Sequence, residues 1–377
     1  MSALALPSPR EEAWRWSALA ALPALAEATP RADALPVAPA FGGPHLTFID
    51  GVSRPERSNP GPVVVGAVDA ASAHPLARLA TAPGWTLALG DDHAAGLVEI
   101  IHVSTGGANH VPARIALAAG AQASIVETFV GDGWANRLTA IALGKGARLM
   151  RALRLTQASG FTSLRDEAEI GEGASLVTVA LGAGGAGSRI DAALTLTGTA
   201  AYAEMGGALL ARGEQRHEAA VVVRHEAEKG VSRQIWRAVA DDTATASLAA
   251  RVEVAEGAQK TDGEQSLRGL LLKRAATVNL KPELEIFADD VKCAHGATVG
   301  ELDAQALFYL ASRGVPPAAA RALLTHAFVA DALDRIGEEA VRDALIAAAD
   351  AWLEAHGWRH CSPPPRRRST AAPISRR

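Results

Sequence analysis

The sequence predicts a mainly β chain, a β-solenoid flanked by N-terminal and C-terminal α-helical regions. Three observations carry this. Glycine-centred turns recur at Gly120, Gly146, Gly173, Gly198, Gly230 and Gly257, a period of about 25 to 32 residues. Between them, apolar and polar residues alternate with period two, as in Leu194-Thr195-Leu196-Thr197 and Val252-Glu253-Val254. At Asp303 the pattern switches to a helical period. A strand rung cannot bury its inner face alone, so repeated rungs must stack. A β-sandwich with glycine turns is the alternative, and a nearly fixed period favours the solenoid.

The segments follow in order. Residues 1–62 read as a helical region and linker. Ser8 can cap, Pro9 suits a first helical position, and Glu11 falls three residues after the cap. Trp14, Ala18, Ala21 and Leu22 share one helical face, with Pro23, Pro30 and Pro36 as breaks. Gly42 to Pro62 reads as a loop. Residues 63–302 form the β-helix core, with apolar runs such as Val63-Val64-Val65 and Leu97-Val98-Glu99-Ile100-Ile101. Residues 303–361 form a helical domain. Asp303 caps a first helix to Ser312, stopped by Gly314. Pro316 and Pro317 open a second, with Leu323, Leu324, Ala327, Phe328 and Ala332 on one face. A third carries Val341, Leu345, Ile346, Ala349, Trp352 and Leu353 and stops at Gly357. Residues 362–377, with Arg366 to Arg368 after three prolines, read as a disordered basic tail.

Composition narrows the function classes. A net charge of −4 argues against the long basic surface of a nucleic-acid binder. Cys293 and Cys361 cannot build a disulfide framework, which points to a reducing, cytoplasmic setting. No apolar run is long enough to cross a membrane. Ala24-Leu25-Ala26 imitates a signal-peptide cleavage site, but Glu11, Glu12 and Pro23 disagree with that reading.

Few residues promise chemistry. Cys293 and His295 are two apart, so on a strand they share a face. A thiolate and an imidazole suit a borderline metal or an iron–sulfur cluster, yet two donors cannot close a tetrahedral site. For such a pair in isolation, a structural cysteine beside a hydrogen-bonded histidine is the favoured reading. Asp289 and Asp290, if on a strand, face opposite sides and make no glycosidase pair. His217 and His225 share a side if their strand is unbroken. No nucleotide-hydrolysing motif is present.

The run Lys281-Pro-Glu-Leu-Glu-Ile-Phe-Ala-Asp-Asp-Val-Lys-Cys-Ala-His-Gly-Ala-Thr-Val-Gly-Glu-Leu-Asp303 resembles the signature of the SufB/SufD family of iron–sulfur assembly scaffolds. Leu307-Phe308-Tyr309-Leu310-Ala311-Ser312-Arg313-Gly314 continues the likeness, and Gly257 to Gln265 resembles the motif before it. Arg10-Glu-Glu-Ala-Trp-Arg-Trp16 is similar to the entry segment of the SufD branch. The resemblance implies a right-handed parallel β-helix between helical regions. It implies pairing with SufB through the β-helix and docking of the SufC ATPase on the C-terminal helices, where Leu307, Phe308, Tyr309, Leu323 and Phe328 are the candidate contacts. It implies that His295, with Cys293 in a lesser role, handles iron or a nascent cluster shared with SufB. Reduced flavin in the complex and a homodimer of the lone chain stay open. Ala219, the Ser247-to-Arg251 stretch and Gly263 depart from the family pattern.

Three functional expectations result. The first is a non-enzymatic scaffold, with ATP hydrolysis on the partner. The second is a solenoid enzyme acting on carbohydrate, which requires acids clustered on one face. The third is a purely structural partner, with all cluster ligands on SufB.

Overall fold

A computed structural model of the chain describes residues 6–31 and 37–355. Pro36, the Gly357 stop, Cys361 and the basic tail lie outside the described residues.

Among the described residues, seventeen strands form one continuous coil of about eight turns. The entry comprises β1 (His45–Ile49), β2 (Val52–Ser53), β3 (Val63–Gly66) and β4 (Gly84–Leu89). Two long strands follow, β5 (Ala94–Leu117) and β6 (Gln122–Leu143). The rungs then divide into β7 (Arg148–Leu155), β8 (Phe161–Ile170), β9 (Ser175–Gly182), β10 (Gly187–Leu196), β11 (Tyr202–Ala211) and β12 (Arg216–His225). The last are β13 (Val231–Ala240), β14 (Thr245–Val254), β15 (Asp262–Leu271), β16 (Thr277–Ile286) and β17 (Lys292–Glu301).

Each strand from β7 to β15 pairs in parallel with the strand two places later. Two sides result. Side one stacks β7, β9, β11, β13, β15 and β17; side two stacks β8, β10, β12, β14 and β16. β6 spans both sides: its first half pairs with β7 and its second half with β8. Period-two alternation puts one set of side chains into a closed lumen, as with Ala219, Val221 and Val223 of β12. Where β6 turns between sides, rungs approach too closely for a side chain. A Cβ on Gly160 (φ +85°) would stand 2.1 Å from the Gly133 carbonyl oxygen.

The predicted glycine repeat marks a real corner, with one correction. Gly120, Gly146 and Gly173 have positive φ, and each N–H donates to a carbonyl of the next rung. In later rungs the same bond and the same left-handed conformation belong to Ala200, Lys229 and Lys260, not to Gly198, Gly230 and Gly257. The corner geometry persists because the inter-rung bond holds it, even where a Cβ makes it less favourable.

The segment read as a loop from Gly42 to Pro62 contains β1 and β2, and β1 pairs in parallel with β5. Leu46 and Phe48 point into the lumen and close the first turn.

The N-terminal region is not one helix. It is two short 3-10 turns, Glu12–Trp14 and Leu19–Ala21, and a single-turn α1 (Leu22–Glu27). The capping pair at Ser8 and Glu11 does form: the Glu11 carboxylate accepts the Ser8 N–H at 2.9 Å, and Ser8 Oγ accepts from Arg10 N–H. It closes only a turn. Pro23 lies in the first turn of α1, where it starts the helix rather than breaking it. The segment straps side two from outside. Lys281 of β16 bonds Glu12, Ser17 Oγ donates to Glu218 of β12, and Arg189 of β10 stands 3.8 Å over the Trp14 ring. Leu19 and Leu22 pack with Trp134 and Phe161, and Arg31 reaches the Thr105 carbonyl of β5.

The C-terminal helices are α2 (Ala304–Ser312), α3 (Pro317–Leu333) and α4 (Glu339–Glu354). The Asp303 side chain accepts from Gln305 N–H at 2.8 Å, and Gly314 ends the turn after α2 with positive φ. α4 buries Val341, Leu345, Ala349, Trp352 and Leu353, as its period predicted. α3 is rotated from the expected face. It buries Ala319, Ala320, Ala322, Thr325, Val329, Ala332 and Leu333, while Leu323 is 46% exposed. Small residues let α3 lie close against the outer surface of side one, where Arg237 donates to Asp331 at 2.8 Å.

Candidate functional site at the open end of the solenoid

The coil stops at β16 and β17. Both pair only with earlier strands, so each leaves an edge without a strand partner among the described residues. Their side chains show the same incompleteness. Apart from half-buried Cys293, every residue of β17 is exposed. Ile286, Phe287 and Val299 are apolar and in contact with water there.

Cys293 and His295 both lie on β17 and share its lumen-facing side, as their spacing predicted. They sit roughly 7 Å apart along the strand. Cys293 is opposite Gly263 and packs beside Val252, Val254 and Ala288. Burial pushes its thiol above the usual range, and the Gly263 N–H offsets part of that. The free thiol therefore stays protonated until a metal or a change of surroundings displaces the proton. The departure at Gly263 is mild: a Cβ there would meet Cys293 Sγ at 3.4 Å and Ser232 Oγ at 3.5 Å, which is ordinary contact.

His295 is exposed at the end of the lumen. It is in register with buried Gln265, whose Nε2 donates across the lumen to the Glu283 carbonyl at 3.2 Å. One rung earlier, Gln234 makes the same crossing to the Arg251 carbonyl at 3.0 Å. Both glutamines keep Oε1 without a partner. His295 thus presents an imidazole at the mouth of a partly polar passage. Among the described residues no three His, Cys, Asp or Glu side chains come together to hold a metal. The two donors of β17 can supply part of a coordination shell, and the rest must arrive from elsewhere.

Other candidates fall into place differently. Asp289 and Asp290 lie in the bend between β16 and β17, not on a strand, and Asp290 pairs with Lys260. His217 and His225 sit at the two ends of unbroken β12, roughly 26 Å apart, so they form no joint site. Each bonds a serine: His217 Nδ1 with Ser188 Oγ at 2.8 Å, and His225 Nε2 with Ser232 Oγ at 2.9 Å. Burial pushes both down to about 4, so both are neutral. Outer-face acids alternate with arginines: Glu167 with Arg165, Glu253 with Arg224 and Arg251, Glu285 with Arg251.

On α2, no residue is buried. Phe308 is 77% and Tyr309 57% exposed; Leu307 is half-buried, and nearby Leu323 of α3 is exposed. Phe328 is placed otherwise: it is partly buried against the solenoid, with Arg237 over its ring.

Sequence reasoning missed a charge network inside the lumen. Arg151 donates to Glu127 at 2.6 Å and to Asp166 at 2.5 Å. His102 pairs with Glu127 at 3.3 Å and accepts from Arg137 Nε at 3.2 Å on its other nitrogen. Burial pushes His102 down to about 4, so the neutral ring donates from Nε2. Burial opposes ionisation of Glu127, but His102 and Arg151 outweigh it and hold the carboxyl at about 2. The available signal was parity: Glu127 stands at an inward position between Ile125 and Phe129.

The family model for the SUF system FeS cluster assembly, SufBD core domain, matches residues 101–328. Escherichia coli iron–sulfur cluster assembly protein SufD is 40% identical over 116 residues, covering 31% of this chain and 27% of the relative. Arabidopsis thaliana protein ABCI7, chloroplastic, is 32% identical over 235 residues, covering 59% and 49%. Bacillus subtilis SufD is 29% identical over 155 residues, covering 41% and 36%. The chain spans half or less of the length of these curated relatives.

Proposed function

The chain belongs to the SufBD family of SUF-system iron–sulfur cluster assembly proteins, and from that premise we propose that it is a non-enzymatic scaffold subunit whose open end receives a SufB-type partner. The observation that carries this is the pair of unpaired edges on β16 and β17, with His295 exposed between them. A free strand edge is a row of unused N–H and C=O groups, ready to accept a strand from another chain. Apolar Ile286, Phe287 and Val299 add area that such pairing would bury.

In this reading His295 offers an imidazole nitrogen to iron or a nascent cluster, which is cargo rather than a resident group. Cys293 is the second donor, slower to engage because its thiol is held protonated. The partner chain brings the remaining ligands. Reduced flavin, if it takes part, comes from outside this chain. In the absence of SufB, two open ends can pair with each other. The exposed α2 surface of Leu307, Phe308 and Tyr309, with Leu323, is the docking face for a SufC-type ATPase. Phe328 anchors α3 beneath that face.

His295→Ala tests the site. Cluster assembly by the complex reconstituted with SufB and SufC is expected to be lost while the complex still forms. Normal assembly would leave a purely structural role in its place. Failure to capture either partner would remove the scaffold reading itself. The carbohydrate-enzyme alternative gains nothing here, since the outer-face acids Glu167, Glu253 and Glu285 are paired with arginines.

A further inference from the structure

We propose that a hollow between α4 and side one binds a tetrahedral oxyanion, either free phosphate or the phosphoryl group of a small ester. The hollow measures about 310 Å³. Its solenoid wall carries Arg154, Thr156 and Arg212, and its helical wall carries Ala348, Ala351 and Trp352. Among the described residues no carboxylate lines it.

Two arginines line it, and among the described residues neither is in ion-pair contact with an acid. Arg154 projects from the outer surface of β7 and is half-buried. Its Nε is buried with no hydrogen-bond partner, and it closes no ion pair among the described residues. Burial pushes its pKa down, a sign that its charge is poorly compensated. Glu99 acts on it only at a distance, and that carboxylate accepts the Ala40 N–H at 2.7 Å. Arg212 follows β11 directly and is also half-buried. It stands over the Trp352 ring, 6.0 Å from the centroid, and no acid among the described residues pairs with it.

Elsewhere this protein gives its enclosed arginines hydrogen-bonding partners: Arg137 donates to His102 and to the Asn109 and Asn136 carbonyls. Arg151 holds two carboxylates, Arg189 holds Asp191 and Glu218, and Arg237 holds Asp331. Arg154 and Arg212 depart from that habit at the same place, beside an open volume. A guanidinium presents a planar fork of donors that matches phosphate oxygens in pairs. The Trp352 ring holds Arg212 before any ligand arrives, which lowers the ordering cost of binding. Thr156 Oγ1 has only a long 3.5 Å contact to the Phe129 carbonyl and can turn toward an anion instead. Alanines on α4 leave the space open. The volume admits a small organic group beside the anion.

The test uses the full chain and inorganic phosphate, followed by thermal unfolding and titration calorimetry against chloride at matched ionic strength. Phosphate is expected to raise the midpoint and to bind at one site. Arg154→Gln and Arg212→Gln should each weaken binding at least tenfold while leaving the midpoint in chloride unchanged or higher, since each removes an uncompensated charge. Arg212→Lys keeps charge but loses the fork, and should also bind more weakly. Tighter binding of adenosine monophosphate or glycerol phosphate than of phosphate assigns the site to an ester; equal or weaker binding assigns it to the free ion. Phosphate that acts no differently from chloride overturns the proposal. So does phosphate binding that survives the double substitution of Arg154 and Arg212.

Discussion

Replacing Arg151 with methionine should unfold the middle of the solenoid more readily than any outer-face change. Arg151 links three rung segments from inside: it is on β7, Glu127 is on β6 and Asp166 is on β8. The three side chains are 1%, 2% and 4% exposed, so no water replaces the lost guanidinium. Removing one partner of a buried ion pair costs about 3–5 kcal/mol, because a charge is left uncompensated. Here two acids are affected, but Glu127 keeps its bond from His102. The expected loss is therefore about 4 kcal/mol, a large share of the ~5–15 kcal/mol that typically holds a domain together. Equilibrium urea unfolding at pH 7 measures it, with the slope checked for constancy. Adding Glu127→Gln and Asp166→Asn to Arg151→Met removes the stranded charges and should recover most of the loss. The single variant should also gain on the wild type between pH 7 and pH 5, because its orphaned carboxylates can then take up protons. A single variant within ~1 kcal/mol of wild type would refute the reasoning. A triple variant less stable than the single one would refute it too.

Two further outcomes are expected. His102 and His110 of β5, the latter beside Asn136, and His217 and His225 of β12 are each pushed to about 4, mainly by burial, so the unfolded chain binds more protons between about 6.5 and 4. Stability should fall on acidification through that window, by on the order of 2 kcal/mol per histidine at pH 5; urea midpoints equal at pH 7 and pH 5 would contradict it. Phe308→Ser with Tyr309→Ser changes side chains that α2 leaves in water, so the melting temperature should hold within a degree or two of wild type while capture of SufC is lost; unchanged capture would move the docking face elsewhere.

Much of the solenoid could be read in advance because its demands are local. A corner that needs a left-handed residue favours glycine, and Gly120, Gly146 and Gly173 advertise it. The signal drifts later because Ala200, Lys229 and Lys260 accept the same conformation under the pull of an inter-rung bond. α2 was legible from Asp303 and Gly314, which act within one turn. α3 was misread because size is a poor guide where a helix must approach a sheet closely: its buried stripe is mostly alanine, and Leu323 faces out. For the candidate site, spacing alone placed Cys293 and His295 on one face of a strand. The lumen network was illegible for a different reason. Glu127, Arg151 and Asp166 look like ordinary charges on alternating strands, and only the registers of β6, β7 and β8 bring them together.

The strap across side two changes how the stack can come apart. A coil of rungs touching only their neighbours behaves as a one-dimensional array that frays from its ends. Here the chain segment before α1 touches β16 through Glu12, β12 through Ser17 and β10 through Trp14, and the stretch after α1 reaches β5 through Arg31. Loss of the last rung therefore tugs on a tether shared with the first. The strap thus couples the side-two strands β10, β12 and β16 to β5, so that side of the stack responds more as a unit than as a row of independent rungs, while β17 on side one lies outside its reach.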